Sequence, residues 1–207
     1  MTNEKLQELS QDFLSRLALP EAKADKPFII ATIGLVGSGR TTVAQKIVER
    51  LKGAVLVSSN SARYLLKQAN LPWGENVRQI LKAVTLELMN KGYGVVFDGN
   101  AADEEDRKNI QDIAEQTGAS VSYIRINIDP EIAKEREKKK YDDPAWASTF
   151  ENSRVNTTEK MLKNVDDRAE LHRNLKSSDL PNLVAEIDNN GDLAELNRQV
   201  DEVIGKF

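Results

Sequence analysis

Gly34-Leu35-Val36-Gly37-Ser38-Gly39-Arg40-Thr41 constrains the fold of this chain more than any other stretch. Its glycines, basic residue and hydroxyl follow the spacing G-x-x-x-x-G-K-[ST] of a phosphate-binding loop, with Arg40 standing where the pattern has lysine. The run before it, residues 28–33, is short, apolar and rich in β-branched side chains, which reads as a buried strand. The run after it, residues 41–51, places Val43, Ala44, Ile47, Val48 and Leu51 on one helical face. Phosphate chemistry needs this succession of strand, glycine-rich loop and helix. Glycines let backbone N–H groups curl around phosphate oxygens. The helix N-terminus adds positive potential and free donors, and a hydroxyl at Thr41 can reach Mg²⁺. The candidate phosphate-binding residues are Gly34, Gly37, Ser38, Gly39, Arg40, Thr41 and Thr42, and the expected ligands are ATP or GTP with Mg²⁺.

A chain of 207 residues suits one α/β domain with ample core. The net charge of −4 gives no global basic excess, so a nucleic-acid partner is not expected. No cysteine is present, which excludes a disulfide framework, a thiol nucleophile and a cysteine zinc site. His172 is the only histidine, which excludes a multi-histidine metal centre; its polar surroundings predict a solvated helix residue. No apolar run is long enough to span a membrane, and the polar start lacks a signal-peptide pattern, so the expected location is cytoplasmic.

Periodicity orders the rest. Leu6, Leu9, Phe13, Leu14 and Leu17 recur at helical spacing, giving an amphipathic helix ahead of the first strand and a charged connector over 20–27. Residues 1–27 are thus set apart from a domain over 28–207. Further strands are expected over 54–58, 95–98, 121–128 and 183–187, and helices over 61–69, 75–91, 104–117, 130–140 and from 192 to about 204. Pro130 sits at the favoured first position of its helix. Residues 141–153 fit neither type and read as a loop. Five strands alternating with helices predict a parallel three-layer α/β/α domain.

This order, anchored on the loop at residues 34–41, resembles the P-loop kinase family, in the branch of polynucleotide 5′-kinases, zeta toxins and chloramphenicol phosphotransferase. The resemblance runs from about residue 28 to 204 and implies the sheet order 2-3-1-4-5. It also implies roles. Ser58-Ser59-Asn60-Ser61-Ala62-Arg63 is similar to the D-x-x-R element, in which the acid is general base on the acceptor hydroxyl and the arginine binds acceptor or phosphate. Here Arg63 is kept and Asn60 replaces the acid; asparagine is also a good helix N-cap. Asp98 matches the strand-end acid that holds Mg²⁺ with the loop hydroxyl of Thr41; a cap or turn role is the alternative. Arg136 and Lys140 occupy the cationic positions leading into a lid over about 136–160, and their spacing puts them on one helical face. A solvated mixed-charge face is the plainer reading of that run. Asn189-Asn190-Gly191 falls where related kinases wrap the adenine.

The departures decide how far the resemblance carries. An amide can orient a hydroxyl but cannot take its proton at neutral pH, and loss of a general base costs about 10²–10⁴-fold. Arginine presents a wider planar fork than lysine and can shift the transferred phosphate. Phosphoryl transfer nonetheless rests mainly on positioning and electrostatics. The leading expectation is an ATP- and Mg²⁺-dependent phosphotransferase for a small acceptor, such as a nucleoside or nucleotide. The catalytic set is Arg40, Asn60, Asp98 and Arg136, and the acceptor set Asn60 and Arg63. The alternatives are a catalytically silent nucleotide sensor or scaffold, and a toxin-like kinase of a cell-wall sugar nucleotide. No basic stripe with interleaved aromatics supports a polynucleotide acceptor. The sequence does not set the oligomeric state.

Overall fold

The computed structural model describes residues 1–142 and 157–207. Strand β1 (Phe28–Gly34) lies at the centre of a five-stranded sheet, flanked by β3 (Gly94–Asp98) and β4 (Ser120–Asn127). Strands β2 (Ala54–Ser58) and β5 (Leu183–Asp188) form the edges. The order is β2-β3-β1-β4-β5 and every pairing is parallel. This is the order that the resemblance implies.

Strand alternation sorts the core into two faces. Ile29, Ala31 and Ile33 of β1, with Val55, Val57 and Val95, face one side. There they meet α1 (Asn3–Ser15), α3 (Ser59–Gln68), α4 (Glu75–Asn90) and α5 (Glu104–Thr117). Ile30, Ala54, Val96, Ile124 and Ile126 face the other side, against α2 (Arg40–Arg50) and α8 (Leu193–Ile204). The amphipathic N-terminal helix is part of this packing: Leu9, Phe13 and Leu14 of α1 are buried in the first core.

A smaller apolar cluster fixes the rim of the sheet's C-terminal end. Leu35 from the glycine-rich loop packs with Ala133 of α6 (Pro130–Tyr141) and with Met161, Val165 and Ala169 of α7 (Thr158–Asn174). The loop expected over 141–153, and the middle of the expected lid, lie from residue 143 to 156 outside the described residues. Helix α7 joins the glycine-rich loop to the wall of the cleft above it, and its buried face reaches His172. That overturns the expectation of a solvated histidine: the helix is present, but His172 lies on its inward side, 9% exposed.

Candidate active site

The glycine-rich loop leaves β1 at Gly34 and enters α2 at Arg40, as the spacing required. Two of its glycines have left-handed backbones, with φ of 83° at Gly37 and 88° at Gly39. A side chain is strained there, and neighbours close the remaining space. A Cβ on Gly37 would lie 2.6 Å from the Ala133 carbonyl, and one on Gly39 would collide with the amide of Asn189. The loop is therefore clamped between α6 and the β5–α8 turn. Asn189 Nδ2 donates to the Ser38 carbonyl at 2.7 Å, a buried bond. Asn190 accepts the Asp129 N–H at 2.7 Å. The segment expected to wrap a base thus has one side chain supporting the phosphate loop from below.

Asp98 ends β3 beside the loop and is 4% exposed. Its Oδ2 accepts from Thr41 Oγ1 at 2.9 Å and from Ser58 Oγ at 3.1 Å. Parallel pairing puts the ends of β2 and β3 at one level, with Ser58 in register with Asp98, while β1 runs on past its Ala31–Phe97 pair to Gly34. A hydroxyl and a carboxylate at this distance are hard oxygen donors of the kind that Mg²⁺ takes. No cluster of three or more acidic or histidine ligands occurs among the described residues.

Arg40 points away from the loop: its Nη1 donates to the Gly99 carbonyl, 3.0 Å away, on the segment after β3. Burial lowers its pKa, opposed by Asp98 and Glu137 and reinforced by Arg63 and Arg168. Those residues outline the site. Asn60 is not the cap of α3; Ser58 is, and its hydroxyl accepts the Asn60 N–H at 3.3 Å. Asn60 instead accepts from Arg63 Nη1 at 2.8 Å. Arg63 also reaches Ser59 Oγ at 3.3 Å and lies 5.8 Å over the Trp73 ring. Burial is the first cause lowering its pKa.

Arg40, Thr41, Asn60, Arg63 and Trp73 line one cleft of about 1210 Å³, and the buried Asp98 is not part of its lining. One wall is the loop from Leu35 to Thr42; the other comes from α3, α4, α5 and the segment after β3. Glu137 and Lys140 of α6, joined at 2.6 Å, close one side, and Arg168 of α7 reaches in, paired with Asp103 at 3.1 Å. Arg136 is not among the residues lining the cleft, although Glu137 and Lys140 are. The fork from the lid side is Arg168, which sequence reasoning missed. Its signal was present, since Met161, Val165, Ala169 and His172 recur at helical spacing and place Arg168 next to the inward stripe. Glu137, Asp103 and Asn100 were also missed; Asn100 Oδ1 is buried without a partner.

The AAA_33 family model, an AAA domain, matches residues 29–171, more than half of the chain. The chain belongs to this family. It is a P-loop kinase-like domain, and solved structures share its fold at low identity. A gluconokinase from Sinorhizobium meliloti is 16% identical, with a TM-score of 0.57 over 87% of this chain and 93% of its own. An APS kinase from Mycobacterium tuberculosis, solved with AMPPNP and APS, is 16% identical, with a TM-score of 0.53 over 87% and 98%. A tunicamycin resistance protein from Deinococcus radiodurans is 15% identical, with a TM-score of 0.54 over 87% and 95%. At such identity the likeness is one of fold. No curated protein matches the sequence.

Proposed function

We propose that this chain is an ATP- and Mg²⁺-dependent phosphotransferase acting on a small acceptor held in the cleft. The observation that carries the reading is the Thr41–Asp98 contact of 2.9 Å at the foot of the glycine-rich loop, beside a cleft deep enough for a second ligand. In this reading the backbone N–H groups from Gly37 to Thr42, with Gly34 and Ser38 shaping the turn, cradle the β- and γ-phosphates. Thr41 and Asp98 would hold Mg²⁺, which would supply charge neutralisation to the phosphates. Arg40 would leave the Gly99 carbonyl to present its planar donor fork to the phosphates. Arg168 and Lys140 oppose charge on the transferring group from the α6–α7 side. Asn60 and Arg63 orient the acceptor.

A second reading, a nucleotide sensor without turnover, is favoured by one arrangement: Arg40 is engaged with Gly99, and no acid stands at residue 60. The two readings separate on ADP formation by wild type, Asn60→Asp, Arg40→Lys and the double variant, with pooled nucleosides, nucleotides and sugars as acceptors. Wild-type turnover above the acceptor-free rate is expected. A silent wild type beside an active double variant would replace the kinase reading with the sensor.

A further inference from the structure

We propose that the acceptor is a phosphate monoester, phosphorylated on an oxygen that is already ionised, and that Arg63 is the group that binds it. This deepens the proposed function and rests on it for the transfer step. Two independent features carry it, one about protons and one about charge.

The first is that no acid lining the cleft among the described residues is left without a cation partner. Three carboxylates line it among the described residues, and each is taken by a cation. Asp103 pairs with Arg168 at 3.1 Å, Asp106 with Arg78 at 2.8 Å, and Glu137 with Lys140 at 2.6 Å. Asp98 already accepts two hydroxyl hydrogen bonds and is assigned to Mg²⁺. The residue nearest Arg63 in the acceptor half is an amide, Asn60, and His172 is not part of the lining. Transfer to a hydroxyl releases a proton: ATP⁴⁻ and ROH give ADP³⁻, ROPO₃²⁻ and H⁺. Transfer to a phosphate monoester releases none: ATP⁴⁻ and ROPO₃²⁻ give ADP³⁻ and a diphosphate ester R–O–P₂O₆³⁻, six negative charges on each side. The bond formed is from an acceptor phosphate oxygen to the γ-phosphorus, and the bond broken is that between the γ-phosphorus and the β,γ-bridging oxygen. The second pKa of a phosphate monoester is near ~6, so the nucleophile is ionised at neutral pH, and a site without a base suits it.

The second feature is Arg63 itself. Its guanidinium is half-buried on the cleft wall, yet no carboxylate lies within ion-pair distance among the described residues, Asp98 and Asp106 acting on it only from further off; its hydrogen-bond partners are the neutral Ser59 hydroxyl and Asn60 amide. A partly desolvated charge with no ion-pair partner is a ready site for an anion. A ligand dianion supplies a counter-ion, and the planar fork donates to two phosphate oxygens at once. An aspartate at residue 60 would neutralise this arginine, whereas asparagine leaves its charge for the ligand. Trp73 covers the arginine from one side, which shields such a pair from water.

The test uses the full chain and three acceptor pools with Mg²⁺-ATP: phosphate monoesters (adenosine 5′-monophosphate, ribose 5-phosphate), the matching neutral alcohols, and monocarboxylates. ADP formation is expected with the monoesters, with a new diphosphate ester seen by phosphorus NMR. Equilibrium binding of the two monoesters without ATP is measured alongside. Two variants decide it: Arg63→Gln is expected to weaken it roughly 10–100-fold, the size of a lost charged hydrogen-bond pair, and Asn60→Asp to weaken it by about tenfold. Turnover confined to alcohols or carboxylates overturns the inference and leaves the kinase reading standing. Monoester binding that depends on Arg63, with no turnover of any pool, upholds the anion site and overturns the kinase reading. Monoester binding unchanged in both variants overturns the inference, as does its absence in wild type.

Discussion

Asp98 ties the site together at the residue scale, because one of its oxygens joins the loop helix, the β2 end and the candidate metal position. Asp98→Asn keeps an acceptor oxygen for Thr41 and Ser58 but removes the charge. We expect the protein to stay folded while Mg²⁺-dependent ADP formation falls roughly 10²-fold or more, read against ATP binding with and without Mg²⁺. His172 gives a prediction of a different kind. Its pKa is pushed down to about 4 by burial first, then by Arg40, Arg125 and Arg168, against an ordinary value of 6.5. The unfolded chain therefore takes up this proton before the folded one. Stability is lost as pH falls from about 6.5 to about 4, at up to about 1.4 kcal/mol per pH unit. Urea unfolding of wild type and His172→Phe across that range should show the gap narrowing in the variant's favour as pH falls. A pH-independent difference would contradict the assignment.

At the scale of elements, the glycine-rich loop owes its shape to partners outside its own sequence. Asn189 on the β5–α8 turn holds the Ser38 carbonyl and fills the space where a side chain on Gly39 would go. Asn189→Ala should cost about 1–3 kcal/mol for a buried acceptor left unpaired and should weaken nucleotide binding, measured by calorimetry. Retained stability with full affinity would show that the loop holds itself. The loop, its strand and its helix were legible in the sequence, because glycine, a β-branched run and a 3.6-residue stripe are local signals. Helix α7 was not singled out: its inward stripe of Met161, Val165 and Ala169 is thin and set among charges. Missing that stripe put His172 on the outside and hid Arg168. The alternative of Asn60 as a cap stayed open for a similar reason, since Ser58 and Asn60 both suit that position and only the backbone decides that Ser58 takes it.

On the scale of the whole molecule, the sheet order puts β1 and β3 side by side, so that Thr41 and Asp98 meet across 57 positions of sequence. Strand periodicity identifies strands but carries no information on which neighbours pair, so this juxtaposition came from family resemblance and the structure bears out the order. The two-sided cleft follows from the same topology: the loop side is built from β1 and α2, and the opposite wall from α3, α4 and α5. Which acceptor contacts Arg63 makes is set by packing between distant helices, where sequence spacing is silent. The whole arrangement stands or falls on whether the loop's nucleotide is turned over. The measurement that decides this is ADP release from ATP by the wild-type chain, with and without Mg²⁺, and with and without the acceptor pools. The account predicts release that needs both Mg²⁺ and an acceptor. Tight ATP binding with no release under any of these conditions would contradict it.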